Sequence, residues 1–319
     1  MKIGKSAFQC IVVFAFVLCI CMSCLYLSCL IPSNMLKNNI EESIEELENL
    51  GSKKTITIMN RKIMFDIYAD AMMLNTAYSI DSNHPFYSML FARSNYVDGI
   101  TDHTYQDKAY ELNKVPVFPD VEDLGRVVRG EKLYAIEYAR YWHGYLMILR
   151  PLLVLFNYME IKTVNYIIHF ILIAILLYQI KKKIGLKYWI AVVFGLIAVE
   201  GYLVCSCLEE TIGISLILVE SIILLSKKIK NYGMYFLVIG MLTAFFDLLT
   251  IPVATFFVPL VLYILMNQKQ DNRLLWKTCI KYFILCLLGY VAMWAMKWIL
   301  VDLIYKRELV KNAIRSSRI

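Results

Sequence analysis

No cysteine lies between Leu30 and Val204, so whatever fold the polar stretch from Pro32 to Thr163 adopts is built without disulfides. The sequence also lacks an HExxH helix, a GxSxG elbow, a phosphate-cradling glycine loop and any Cys/His pair at catalytic spacing. Zinc-protease, serine-hydrolase, kinase and dinucleotide-dependent chemistries therefore have no residues to rest on. Cys205 and Cys207 form a CSC with no histidine or further cysteine spaced to complete a zinc set. Internal repeats and low-complexity tracts are missing as well. Charge is scarce: only 18% of the 319 residues are charged while 59% are hydrophobic, against about 45–50% apolar in soluble globules. The chain belongs in a lipid bilayer.

The net charge of +7 arises from short basic clusters placed directly after apolar runs, which is the signature of membrane orientation. A basic groove with interleaved aromatics is missing, and no nucleic-acid partner is expected. An apolar run from Ala7 to Ile31 follows MKIGK and is longer than a signal peptide needs. It reads as an uncleaved span with its N-terminus in the cytoplasm. Further runs occur at Val164–Ile180, Tyr188–Cys205, Ile212–Leu225, Tyr235–Leu249, Ile251–Met266 and Ile280–Ile304. The clusters Lys181–Lys183, Lys227–Lys230 and QKQDNR then fall on the cytoplasmic side. The expected fold class is all-α: a polytopic membrane bundle of about seven transmembrane helices with a long helical first extracytoplasmic loop. Residues 1–31 hold the N-terminus and first span, 32–160 the extracytoplasmic loop, and 161–304 the bundle. Residues 305–319 form a basic tail that this count leaves outside. The expected location is the cell membrane, crossed several times.

The loop is too long for a bare connector. IEESIEELENL (Ile40–Leu50), FDIYADAMMLNTAY (Phe65–Tyr78) and VEDLGRVVRG (Val121–Gly130) carry apolar residues at helical spacing and are expected to lie in the membrane interface, apolar faces down. EYARYWHGYLMILRPLL (Glu137–Leu153) follows. Its aromatics suit the headgroup region, and the spacing predicts a helix that dips into the membrane edge, is kinked or ended at Pro151, and turns Arg140, His143 and Arg150 to a cavity.

Asp66 and Asp70, four residues apart on one helical face, read either as a wetted surface or as a general base or metal-ligand pair. Glu209 and Glu210 sit in the shortest external turn and form either a hydrophilic tip or a secondary acidic group of the same cavity. Asp247, between two apolar runs, is a suspect because acids at membrane depth are expensive. Glu200 and Glu220 are expected to pair with cations inside the bundle.

One span, a long first external loop with an early aspartate, and a bundle whose short external turns carry acids together resemble the GT-C superfamily of integral-membrane glycosyltransferases. DIYADAMMLN, LGRVVRG, YARYWHGYLMILRPLL and FFDLLTIP are similar to stretches in bacterial membrane proteins of that kind. The resemblance implies transfer of a sugar from a polyprenyl-phosphate carrier to an extracytoplasmic polysaccharide, lipid or protein. Asp70, or failing it Asp66, would be the catalytic acid of the first loop. Arg140, His143, Arg315 and Arg318 would hold the carrier's phosphate. Partners would be the polyprenyl-phosphate-linked sugar and the lipid bilayer; a divalent cation is the one cofactor in question, its ligands unknown. Members of the superfamily commonly carry further spans, so the resemblance implies a fragment or a reduced form. The alternative is a non-catalytic polytopic membrane protein that binds or transports a lipid-linked saccharide.

Overall fold

A computed structural model describes residues 2–51, 55–58, 61–64, 67–96, 121–131, 134–198, 201, 207–226, 229–246 and 251–307. Asp66, Glu200, Cys205, Asp247, Arg315 and Arg318 lie outside the described residues. The chain is helical, as expected, and adds two short antiparallel ladders that period-2 patterning did not announce. In chain order the elements are α1 (Lys2–Cys29), α2 (Lys37–Gly51), β1 (Thr55–Ile58), β2 (Arg61–Met64), α3 (Ile67–Tyr78), α4 (Pro85–Phe91), β3 (Ser94–Tyr96), α5 (Val121–Val128) and β4 (Tyr134–Ile136). They continue with α6 (Leu146–Leu155), α7 (Tyr158–Lys183), α8 (Leu186–Ala198), α9 (Leu208–Ser226), α10 (Tyr232–Phe246), α11 (Pro252–Met266) and α12 (Asn272–Tyr305). β1 pairs with β2, and β3 with β4. Two compact units result: a polar unit of residues 26–138 and 146–162, and a membrane unit of residues 1–25, 139–145 and 163–319.

Within the polar unit Leu36, just before α2, and Ile40 and Leu47 of α2 are fully buried, at spacings of four and seven residues that place them on one apolar stripe. α5 follows its sequence pattern, burying Leu124, Val127 and Val128. α3 departs from expectation. Ala69, Asp70, Ala71, Met73, Leu74, Asn75, Thr76 and Ala77 are all buried, so α3 is enclosed on most sides and is no one-faced interfacial helix. Its small residues, Ala69, Ala71 and Ala77, let neighbouring chain approach from several directions.

Arg150 explains how that packing tolerates charge. The expectation that it faces a cavity is corrected: its side chain is fully buried and donates to the carbonyls of Ser28, Ile31 and Ala77. Those carbonyls sit at or just past the ends of α1 and α3, where orphan acceptors and the negative end of the helix dipole favour a cation. Ser28 Oγ in turn donates to the Leu146 carbonyl at 2.7 Å. The predicted single helix over Glu137–Leu153 is also corrected. Residues 139–145 are irregular, helix α6 begins only at Leu146, and it runs through Pro151 to Leu155.

In the membrane unit, α1 (from Ala7), α7 and α12 are long and apolar enough to cross a bilayer. α8, α10 and α11 span 13, 15 and 15 residues, about 20–23 Å at 1.5 Å per residue against a hydrocarbon core of about 30 Å. α9, at 19 residues, carries three acids. α10 and α12 cross at two glycines. A Cβ at Gly240 would run into the Cys286 carbonyl, and one at Gly289 into the Leu237 carbonyl. Backbones this close gain dispersion contact that larger side chains would prevent, which is how helices associate where lipid is as apolar as leucine. Gly240→Leu therefore destabilises the detergent-solubilised protein by about 1–3 kcal/mol or more, read as a fall in thermal midpoint. Gly195→Leu on α8, where nothing lies within 4 Å of the added Cβ, leaves the midpoint unchanged within about 2 °C.

Candidate functional site

Asp70 enters the polar unit's core from the first turn of α3, with no exposed surface. Its Oδ2 accepts the Tyr158 hydroxyl at 2.6 Å. Lys162, one turn further along α7, donates from Nζ to the same Tyr158 oxygen at 2.8 Å and stands 4.0 Å from Asp70 Oδ2. The Lys162 ammonium also lies 4.6 Å from the centre of the Tyr158 ring, within cation–π reach. Carboxylate, phenol and ammonium thus form one buried array. Removing any one member would leave a charge or a polar atom short of one partner in a low-dielectric setting.

The array is aimed by the way α7 begins. Asn157-x-x-Glu160 is a capping box: Asn157 Oδ1 accepts the Glu160 amide and Glu160 Oε2 accepts the Asn157 amide, both at 3.0 Å. α2 supplies the remaining acceptors. Ser43 Oγ takes the Tyr158 amide at 2.9 Å and Glu46 Oε2 takes the Met159 amide at 3.0 Å. Glu42 Oε2 accepts from the Asn157 side chain, and Asn39 donates to the Leu153 carbonyl of α6. Asn39, Glu42, Ser43 and Glu46 are spaced i, i+3, i+4 and i+7, so they form one polar stripe along α2. The polar face of α2 closes the end of α6 and the start of α7.

Three carboxylates near one helix start raise the question of which effect wins at Glu46. Partial burial raises its pKa from the usual glutamate value, the Met159 amide opposes this, and Glu42 and Glu160 push it up again. Because the folded value is raised, the folded state holds this proton more tightly than the unfolded chain does. The contribution is full below the ordinary glutamate pKa and is lost as pH rises through the folded one. Glu46→Gln keeps an acceptor for Met159 and removes the charge. Its thermal midpoint at neutral pH is expected to equal or exceed wild type, and the wild-type decline just above the ordinary glutamate range should flatten; a midpoint several degrees lower would contradict this.

Arg140 and His143 belong to the membrane unit and are described there. Arg140 is exposed, and its carbonyl accepts the indole N–H groups of Trp294 and Trp298 at 2.7 and 3.1 Å. His143 is buried, in a left-handed backbone conformation with φ 53°. Non-glycine residues reach that region at some cost, histidine more readily than most. The turn is fixed by its neighbours: the Gly144 amide donates to the Phe245 carbonyl at 3.0 Å, and Trp142 Nε1 donates to the Met293 carbonyl at 2.8 Å. Burial drives the imidazole pKa far below its usual value, the Lys297 ammonium lowers it further, and the Tyr141 carbonyl at Nδ1 only partly opposes them. The His143 ring is accordingly neutral, with Nδ1–H donated to Tyr141.

Glu209 and Glu210 occupy the first turn of α9, Glu209 partly buried and Glu210 exposed, where acids favourably meet a helix N-terminus. Glu220, expected to pair with a cation, is buried with neither carboxyl oxygen hydrogen-bonded among the described residues. No group of three or more His, Cys, Asp or Glu that could hold a metal ion occurs among the described residues. Sequence reasoning singled out Asp70 but missed Tyr158 and Lys162. The signals were present: an N-x-x-E box at Asn157 and a lone lysine one turn past a tyrosine at the head of an apolar run.

Comparison with known proteins finds no matching family model, no matching curated protein and no matching solved structure.

Proposed function

We propose that the protein crosses the membrane with about seven helices, its short apolar helices included, and transfers a sugar from a polyprenyl-phosphate carrier in the manner of a GT-C glycosyltransferase. The observation that carries this reading is the Asp70–Tyr158–Lys162 array. Apolar residues of like volume hold a core at least as well as a buried ion pair. Ionisable groups gathered at one buried point therefore support a chemical role more than a structural one. In the proposed step an acceptor hydroxyl attacks the sugar's anomeric carbon. The bond from that carbon to the carrier's phosphate breaks, its electron pair leaves with the phosphate, and the acceptor's proton passes to the Asp70 carboxylate. Tyr158 and Lys162 position that carboxylate. The exposed Arg140 guanidinium suits a lipid phosphate by its two-pronged donor geometry. Asp66, Arg315 and Arg318 keep the roles the resemblance gives them, and Glu209, Glu210 and Asp247 remain secondary acids.

The zero exposure of Asp70 favours a second reading, in which the array only fastens the polar unit of a non-catalytic protein that binds or transports a lipid-linked saccharide. Membranes incubated with polyprenyl-phosphate-linked sugars separate the two. Transfer is expected in wild type and should fall about 10²–10⁴-fold in Asp70→Asn, the range for loss of a general base, with the variant still folded by its elution profile. Saccharide binding without transfer in wild type supports the second reading. Full transfer by folded Asp70→Asn removes Asp70 from the chemistry.

A further inference from the structure

Glu220 lies in the interior of α9, about 9 Å of helix rise before its end at Ser226, too deep for a short side chain to reach the helix terminus. The residue is 3% exposed, and both carboxyl oxygens are buried without a hydrogen-bond partner among the described residues. Its surroundings are given by three helices. On α10, Tyr235 donates its hydroxyl to the Glu220 backbone carbonyl at 2.7 Å and leaves the carboxyl alone. On α12 the buried Cys286 thiol is close enough to feel the Glu220 charge, and the buried Lys297 ammonium lies over the Trp142 ring. Tyr263 of α11 packs against Tyr232 and Tyr282, Lys183 donates to the Leu225 carbonyl, and His169 meets Ser215.

An ionised carboxylate in such a place loses its hydration and gains no cation among the described residues, at a cost of several kcal/mol. A neutral acid avoids most of that cost. A metal cation would need several oxygens gathered around it, whereas a proton needs only one. We propose that Glu220 is a proton-binding site of the membrane unit: a resident carboxylic acid that gives up its proton only when the packing of α9 against α10 and α11 opens. An acid so placed is expensive even when neutral, and ionisable groups at membrane depth are by default groups with a task.

The test uses the full chain in native membranes and needs no variant to read out. Dicyclohexylcarbodiimide partitions into bilayers and reacts with protonated carboxyls. The acid's proton passes to a carbodiimide nitrogen and its oxygen adds to the central carbon; with water and amines excluded, the acyl group of this O-acylisourea migrates from oxygen to nitrogen, leaving a stable N-acylurea that peptide mass spectrometry locates. At about pH 7 an ordinary glutamate is more than about 99% ionised, so exposed Glu210 supplies the internal reference. The expected result is an adduct at Glu220 at least about tenfold above that at Glu210, absent from Glu220→Gln, with no Glu220 adduct from a charged, water-soluble carbodiimide. No Glu220 adduct with the apolar reagent, or equal modification by the water-soluble one, would overturn the proposal.

Discussion

The amides that open α7 lack intrahelical partners, and that of Tyr158 is buried. A helix start is most stable when each such N–H finds an acceptor, and a buried one requires it. α2 meets the requirement with Ser43 and Glu46, and the chain itself with Asn157 and Glu160. Each such cap is worth about 1 kcal/mol, and several act on the first turn of one 26-residue helix. Tyr158 is gripped twice, by Ser43 at its amide and by Asp70 at its hydroxyl. The array that suggests chemistry depends on the cap that sets the helix.

Buried charge is handled in two contrasting ways. Arg150 is spread over three helix-end carbonyls, and Asp70 is answered by Tyr158 and Lys162. Both arrangements place opposite partial or full charges in contact, and so the polar unit can hold ionised groups in its core. Glu220 has no such company among the described residues, and neutrality is its remaining route. His143 reaches neutrality from the other direction, an imidazole kept unprotonated by burial and by Lys297.

Hydropathy located the apolar helices because each is a long run without breaks, and the acidic amphipathic pattern of α2 located that element within a few residues. What hydropathy could not weigh was tertiary demand. The alternation of small and large residues in α3 looked one-faced, yet Ala69, Ala71 and Ala77 allow contact on the side taken for surface. The role of Glu42 and Glu46 was not legible because the start of α7, the element needing acceptors, is more than a hundred residues away in sequence. In the stretch around His143, aromatic and basic residues at helical spacing suggested a helix. The Trp142 indole, the left-handed His143 and the tight approach of Gly144 to Phe245 imposed an irregular path instead. Asp70 was visible as an acid and its partners were not, since a tyrosine and a lysine in an apolar run read as boundary residues.

Amide hydrogen exchange across Asn157–Ile161 in the lipid-reconstituted protein reaches the cap most directly. First-turn amides of an uncapped helix exchange almost as fast as in an unfolded chain, because no intrahelical acceptor protects them. With Ser43, Glu46, Asn157 and Glu160 as acceptors, the amides of Tyr158, Met159 and Glu160 should be protected to the same degree as those of the following turn. Exchange of these three at the unprotected rate, while Lys162 and Thr163 remain slow, would contradict the account.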